Sequence, residues 1–234
     1  MKSTTLTHKG KRKVNQDVVL TKNINPDTYL YLVADGMGGY DNGEIAAQIA
    51  TESILTFLSN IDEINKETIQ KAINKANLAI RQFQDQNHSK LGATLGGIVL
   101  SRNIAKCFWV GDVKILHYSD NKLVFESKSH NLINEFSDST ISDASNRVSK
   151  YSHIVTRSIQ GDIKKSGISY HELNINNSLD QLIICSDGVH NIVNSQTIQY
   201  LINSADSQDS AIEVINRRLE TEAIDNASLI IVNS

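Results

Sequence analysis

The stretch Tyr29-Leu30-Tyr31-Leu32-Val33-Ala34-Asp35-Gly36-Met37-Gly38-Gly39 decides how the rest of the chain is read. An apolar run of strand length that stops at a glycine-rich turn reads as a buried β-strand. Its last residue before the turn is a carboxylate, Asp35, and a charge at the mouth of an apolar strand is costly unless something neutralises it. Immediately downstream the period changes. Ile45, Ile49, Leu55 and Leu58 form a helical stripe across residues 43–58. Ile69, Ala72, Ile73, Ala76, Ile80 and Phe83 follow at i, i+3, i+4, i+7 spacing, with Asn65 as N-cap and Glu67 in the first turn.

From Gly92 onward short apolar runs return at 95–100, 105–110 and 115–118, and the turn Ser119-Asp120-Asn121-Lys122 leads into Leu123-Val124-Phe125. Residues 127–152 are rich in Ser, Asp, Asn and Lys and carry little periodicity, so they read as an exposed, mobile, flap-like insertion. Strand-like sequence resumes at His153-Ile154-Val155-Thr156 and again near 168–175 and 181–185. Helices are expected from Ser195 and across 207–223, then a final strand at 228–232. Helices and strands come in blocks, which favours an α+β fold with packed sheets over a β-α alternation. With no internal repeat and only one proline, residues 1–234 are expected to form a single domain.

Composition narrows the function classes. The chain has 234 residues, 40% hydrophobic and 21% charged, which is ordinary globular usage. Lys and Arg number 23 against 26 Asp and Glu, a net charge of −3, so no basic excess draws the whole molecule to nucleic acid or anionic lipid. The two cysteines, Cys107 and Cys185, lie inside apolar runs and exclude both a disulfide framework and a Cys-x-x-Cys zinc site. The polar N-terminus lacks a signal-peptide core, and no window holds ~18 consecutive apolar residues. A cytoplasmic protein without a membrane segment is expected.

Three aspartates share one kind of position. Asp35 and Asp187 each end an apolar run and precede a glycine, and Asp225-Asn226 leads into the final strand. Hard divalent cations satisfy such carboxylates together with backbone carbonyls and water. A single Asp-Gly pair is ordinarily a turn; three at strand ends beside Gly36-Met37-Gly38-Gly39 favour a metal. Other templates fail: there is no phosphate-binding Gly-x-x-x-x-Gly-Lys, no Gly-x-Ser-x-Gly elbow and no His-Glu-x-x-His. Cys185 has Asn191, not arginine, six residues on, unlike a cysteine phosphatase cradle.

Taken in order, Gly10-Lys11-Arg12-Lys13-Val14-Asn15-Gln16-Asp17, Asp35-Gly36-Met37-Gly38-Gly39 with Gly43-Glu44, Gly92-Ala93-Thr94-Leu95, Val110-Gly111-Asp112, Ser129-His130-Asn131-Leu132, Thr156-Arg157-Ser158, Ser186-Asp187-Gly188 and Asp225-Asn226 make the chain recognisable. It resembles the metal-dependent (PPM, type 2C-like) protein serine/threonine phosphatases, in particular the compact bacterial members, along nearly its whole length. The resemblance implies a four-layer α-β-β-α sandwich with two central antiparallel sheets flanked by helices, and a centre of two Mn²⁺ or Mg²⁺ ions in the cleft between the sheets. Asp35 matches the aspartate bridging both metals, Gly36 the carbonyl donor, and Asp187 and Asp225 ligands of the first metal. Arg12 matches the phosphate-binding arginine. Asp17 and Asp112 are implied as outer-shell groups or ligands of a third, weaker metal. The implied reaction is hydrolysis of phosphoserine and phosphothreonine by direct attack of a metal-bridging hydroxide.

The implied partners are phosphorylated proteins, opposed by a serine/threonine kinase; a monomer is expected, with no nucleic acid and no membrane. Three positions depart from the family pattern. Gln16 stands where many members have glutamate, and Met37 where animal and plant members often have a histidine proposed as general acid. Val113-Lys114 replaces the usual Ser-Arg, which weakens the third-metal inference. A catalytically dead relative that binds a partner is the rival reading, and the complete set of metal positions argues against it. The arginine at position 12 argues against a partner-switching phosphatase.

Overall fold

A computed structural model describes residues 2–37, 42–136, 154–176 and 179–233. Along the chain these form β1 (Lys2–His8), β2 (Asp17–Asn25), β3 (Thr28–Gly36), α1 (Gly43–Leu58), α2 (Lys66–Asn87), β4 (Ala93–Ser101), β5 (Ile104–Val110), β6 (Lys114–Ser119) and β7 (Lys122–Glu126). Then come α3 (Leu132–Phe136), β8 (Ser169–Asn174), β9 (Gln181–Cys185), α4 (Asp187–His190), α5 (Ser195–Ser204), α6 (Gln208–Glu222) and β10 (Ala227–Asn233). The strands make two five-stranded sheets, ordered β1-β10-β9-β6-β7 and β2-β3-β4-β5-β8. Every pairing between neighbours is antiparallel.

Side-chain alternation then builds the layers. On β3, Leu30, Leu32 and Ala34 face α1 and α2, packing with Ala46, Ala50, Ile54, Ile69, Ile73 and Ile80. Tyr31 and Val33 point the other way, against Ile115, Ile184 and Ile230 of the second sheet. That sheet's outer face, with Leu116, Ile183 and Leu229, is covered by Ile198 of α5 and by Ile212, Ile215 and Leu219 of α6. The result is the α-β-β-α sandwich that the resemblance implied. Asn65 caps α2 as expected, accepting from the Thr68 N–H at 3.0 Å while its own N–H donates to the Thr68 hydroxyl.

The sequence reading differs from the structure at several points. It passed over β1 and β2, because both are edge strands whose exposed faces carry Thr, Lys and Asn and break the apolar run. It passed over α4, which is too short to show a period. The expected strand at 153–156 shortens, among the described residues, to a single bridge between Val155 and Asn131. The polar segment assigned to 127–152 begins inside the fold: Ser127, Ser129 and His130 are buried, and α3 follows. Polar composition misleads there because each group has a partner, such as the Ile115 N–H donating to the Ser127 hydroxyl at 2.8 Å. The remainder of that segment, 137–152, lies outside the described residues, as do Gly38 and Gly39. Among the described residues no helix is long and apolar enough to cross a membrane.

Candidate metal centre

The alternation that buries Tyr31 and Val33 between the sheets carries Asp35 onto the same face, at the end of the sandwich. Asp17, the first residue of β2, pairs directly with Asp35 across the ladder, so both carboxylates point into the space between the sheets. Asp187 opens α4 just after β9, Asp225 lies before β10, and Asp112 sits in the turn between β5 and β6. Antiparallel pairing brings all these strand ends to one end of the molecule.

The carboxylates raise one another. Burial first, then the charges of Asp17, Asp187, Asp112 and Asp225, holds Asp35 well above the usual carboxylate range. Burial, helped by Asp225, pushes Asp17 up to about 6. Burial, then Asp112 and Asp225, pushes Asp187 up to about 7. Asp112 is raised chiefly by burial. The Ser186 hydroxyl donates to Asp17 Oδ2 at 2.9 Å across the gap between the sheets, while Asp17 Oδ1 is buried with no protein partner. An all-oxygen set of crowded carboxylates with an orphaned oxygen fits hard divalent cations of the Mg²⁺ or Mn²⁺ kind. Among the described residues no three His, Cys, Asp or Glu side chains are drawn into one closed ligand set. Two of the carboxylates are turned to protein partners, Asp17 to Ser186 and Asp225 to Arg12.

Gly36 is where the backbone itself comes closest. Its N–H donates to the Gln16 carbonyl at 3.1 Å, and a Cβ at this position would collide with the backbone of Gly43. Only glycine lets β3 pass between the Gln16 backbone and the start of α1. The Gln16 side chain turns to Glu44, donating to its carboxylate at 3.3 Å. Met37 donates its N–H to the Gly92 carbonyl and lays its methyl against Gly92, so it carries no acid into the site.

Arg12 lies on the loop between β1 and β2 and bonds Asp225 Oδ2 at 2.7 Å, in a pair that is 48% and 41% exposed. Asp225 first, with more distant Asp187 and Asp35, holds its guanidinium above the usual range. The loop is held by Asn226, which the sequence offered only as the neighbour of Asp225. Asn226 accepts from the Gln16 N–H at 2.9 Å and donates to the Lys9 and Val14 carbonyls at 2.8 and 3.0 Å. Gly10 turns this loop with φ +59°, its backbone pressed against Asp225 and Ala223.

Two histidines support Asp112 from below. His190 donates from Nε2 to the Asp112 carbonyl at 3.1 Å, and burial lowers its pKa to about 4. His130 accepts the Gly111 N–H at Nδ1 (3.0 Å), bonds Ser169 through Nε2 and stacks on Trp109. Burial lowers His130 to about 4, so it too stays neutral. Neither role was visible in the sequence, where the histidines show no ligand spacing; the Ser129-His130-Asn131-Leu132 block was the only pointer.

Comparison with known proteins identifies the family of the chain and relatives of its fold. A family model described as Protein phosphatase 2C matches residues 6–229. Protein phosphatase PhpP of Streptococcus pneumoniae is 25% identical, with 100% of this chain and 97% of that protein covered. The serine/threonine phosphatase of S. agalactiae superposes with a TM-score of 0.86 at 20% identity, covering 98% of each chain. The catalytic domain of the serine/threonine protein phosphatase PstP, solved in complex with two manganese ions, superposes with a TM-score of 0.78 at 21% identity, covering 99% of this chain and 97% of that one.

Proposed function

The chain belongs to the protein phosphatase 2C family and is a phosphoprotein phosphatase, and from that premise we propose that it hydrolyses phosphoserine and phosphothreonine at a centre of two Mn²⁺ or Mg²⁺ ions held by Asp35, Asp187, Asp225 and the Gly36 carbonyl. The observation that carries the reading is the convergence of Asp17, Asp35, Asp112, Asp187 and Asp225 at one end of the sheet-sheet cleft, with Arg12 beside them. The manganese ions recorded with PstP support the choice of metal. When bound, such ions polarise phosphoryl oxygens and make water acidic enough to attack phosphorus directly.

The chain's own residues do the rest. Asp35, buried among Asp17, Asp112, Asp187 and Asp225, would hold the ions and lower the repulsion between them. Asp17 stands beside it in the ladder, oriented by Ser186, and Asp112 would serve a third, weaker ion. Arg12, now paired with Asp225, carries a planar fork that would match two phosphate oxygens. The substrates are phosphorylated proteins, with a serine/threonine kinase opposing. Hydrolysis of p-nitrophenyl phosphate and of a phosphothreonine peptide tests the proposal. Activity should require Mn²⁺ or Mg²⁺, vanish with chelator and return on adding the ion. Turnover that ignores the chelator would overturn it.

A further inference from the structure

A cleft of about 630 Å³ opens beside the carboxylate cluster, bordered by Asp112 and Asp187 and extending over Lys114, Glu126 and Lys128. That is the size of a pocket for a peptide-sized group, since ligand sites commonly run about 300–1,000 Å³. No aliphatic residue, phenylalanine, tyrosine or tryptophan lines it among the described residues; the walls are Ser, Asn, Lys, His and carboxylate side chains. An apolar anchor therefore meets no apolar side chain there.

Charge separates the remaining possibilities. Lys114 is ion-paired with Glu126, whose other oxygen accepts from the Ser195 hydroxyl at 2.8 Å, so this pair cancels within the cleft. His190 is neutral. Lys128 differs from both: its ammonium makes no ion pair or hydrogen bond with any described residue, and its side chain is exposed. Its backbone, by contrast, is fixed. The Lys128 carbonyl accepts from Trp109 Nε1 at 2.9 Å, and the flanking Ser127 and Ser129 are only 2% and 8% exposed. A cation on a fixed backbone thus stands at the edge of a polar cleft that adjoins the carboxylate cluster.

We infer that this cleft seats the polypeptide flanking the phosphoresidue and that Lys128 selects segments with acidic residues there. The inference rests on the phosphatase reading above and adds the substrate class. A carboxylate on the substrate pairs with Lys128, whereas a lysine in the same place is repelled. An exposed pair of this kind changes binding modestly, about two- to fivefold, and weakens with salt.

The test compares phosphothreonine peptides carrying glutamate or lysine at the three positions on each side of the phosphoresidue. The readout is the ratio of kcat/KM between acidic and basic peptides for the wild-type protein and for Lys128→Glu, since a general loss of activity leaves that ratio unchanged. The wild type should favour at least one acidic series about two- to fivefold at low salt, and Lys128→Glu should invert that preference. Equal ratios in the two proteins, with both hydrolysing the peptides, would overturn this inference alone. Failure of the wild type to hydrolyse either the peptides or p-nitrophenyl phosphate with Mn²⁺ would overturn the phosphatase reading beneath it.

Discussion

Asp35 carries a cost in the isolated chain that the proposed metal centre would offset. It is crowded by Asp17, Asp187, Asp112 and Asp225, and burial adds to that crowding. Asp35→Asn removes one ionisable group from the cluster while keeping size and shape. The variant should lose on the order of 10²-fold or more of metal-stimulated activity, as losses of metal-site groups do. Its melting temperature in chelator should equal or exceed that of the wild type, because an amide is neutral there at any pH. A variant that kept full activity, or that simply melted lower, would remove Asp35 from the centre. Arg12 predicts a different split. Its pair with Asp225 is about half exposed and contributes at most about 1 kcal/mol to stability. Arg12→Ala should leave the fold standing and raise KM for phosphopeptide about tenfold or more, with a smaller change in kcat. An unchanged KM would return Arg12 to the solvated surface. The acidic positions were legible in the sequence because each stands at the end of an apolar run. Ser186 and His190 were not, since their partners Asp17 and Asp112 lie 169 and 78 residues away.

The loop between β1 and β2 is the element that ties Arg12 to the carboxylates. Asn226 is 4% exposed and satisfies one N–H and two carbonyls of that loop from the start of β10. Replacing it by alanine strands those backbone groups, at a cost of about 1–3 kcal/mol for a buried group left unpaired. Asn226→Ala should speed hydrogen exchange of amides 9–16 and raise KM toward the value for Arg12→Ala, while α2 amides stay protected. Unchanged exchange in the loop would show that Gly10 and the Asp225 contact hold it without Asn226. β3 and α2 were legible because each buries a face that repeats at its own period. β1 and β2 were not, because both are edge strands with polar residues on their exposed faces, and β1 in addition pairs far along the chain, Thr5 with Ile230. The buried start of the 127–152 segment escaped for a third reason. Its serines and His130 are satisfied by backbone groups of other elements, which composition cannot register.

For the molecule as a whole, stability and metal binding should be linked through pH. In the folded, metal-free chain Asp17 is raised to about 6 and Asp187 to about 7, so the fold holds protons that the unfolded chain gives up near 4. Their contribution is fully present below about 4 and is lost as pH rises through about 6–7. His130 and His190, lowered to about 4, act in the opposite sense: the unfolded chain takes up protons near 6.5 that the fold refuses. Their cost grows as pH falls from 6.5 toward 4. The two effects oppose each other in that window, and above pH 6.5 only the carboxylates remain. Stability in chelator should therefore decline from pH 6.5 to 8. Mn²⁺ takes the place of those protons, and its affinity rises as the ligands lose them. At a hundred times its Kd, one bound ion adds about 2.7 kcal/mol. For a chain of this size that is a rise in Tm of about 5–10 °C. The difference in Tm between Mn²⁺ and chelator should widen from pH 6 to pH 8 and shrink in Asp35→Asn. A difference independent of pH, or equal in the variant, would place the bound ions away from this cluster.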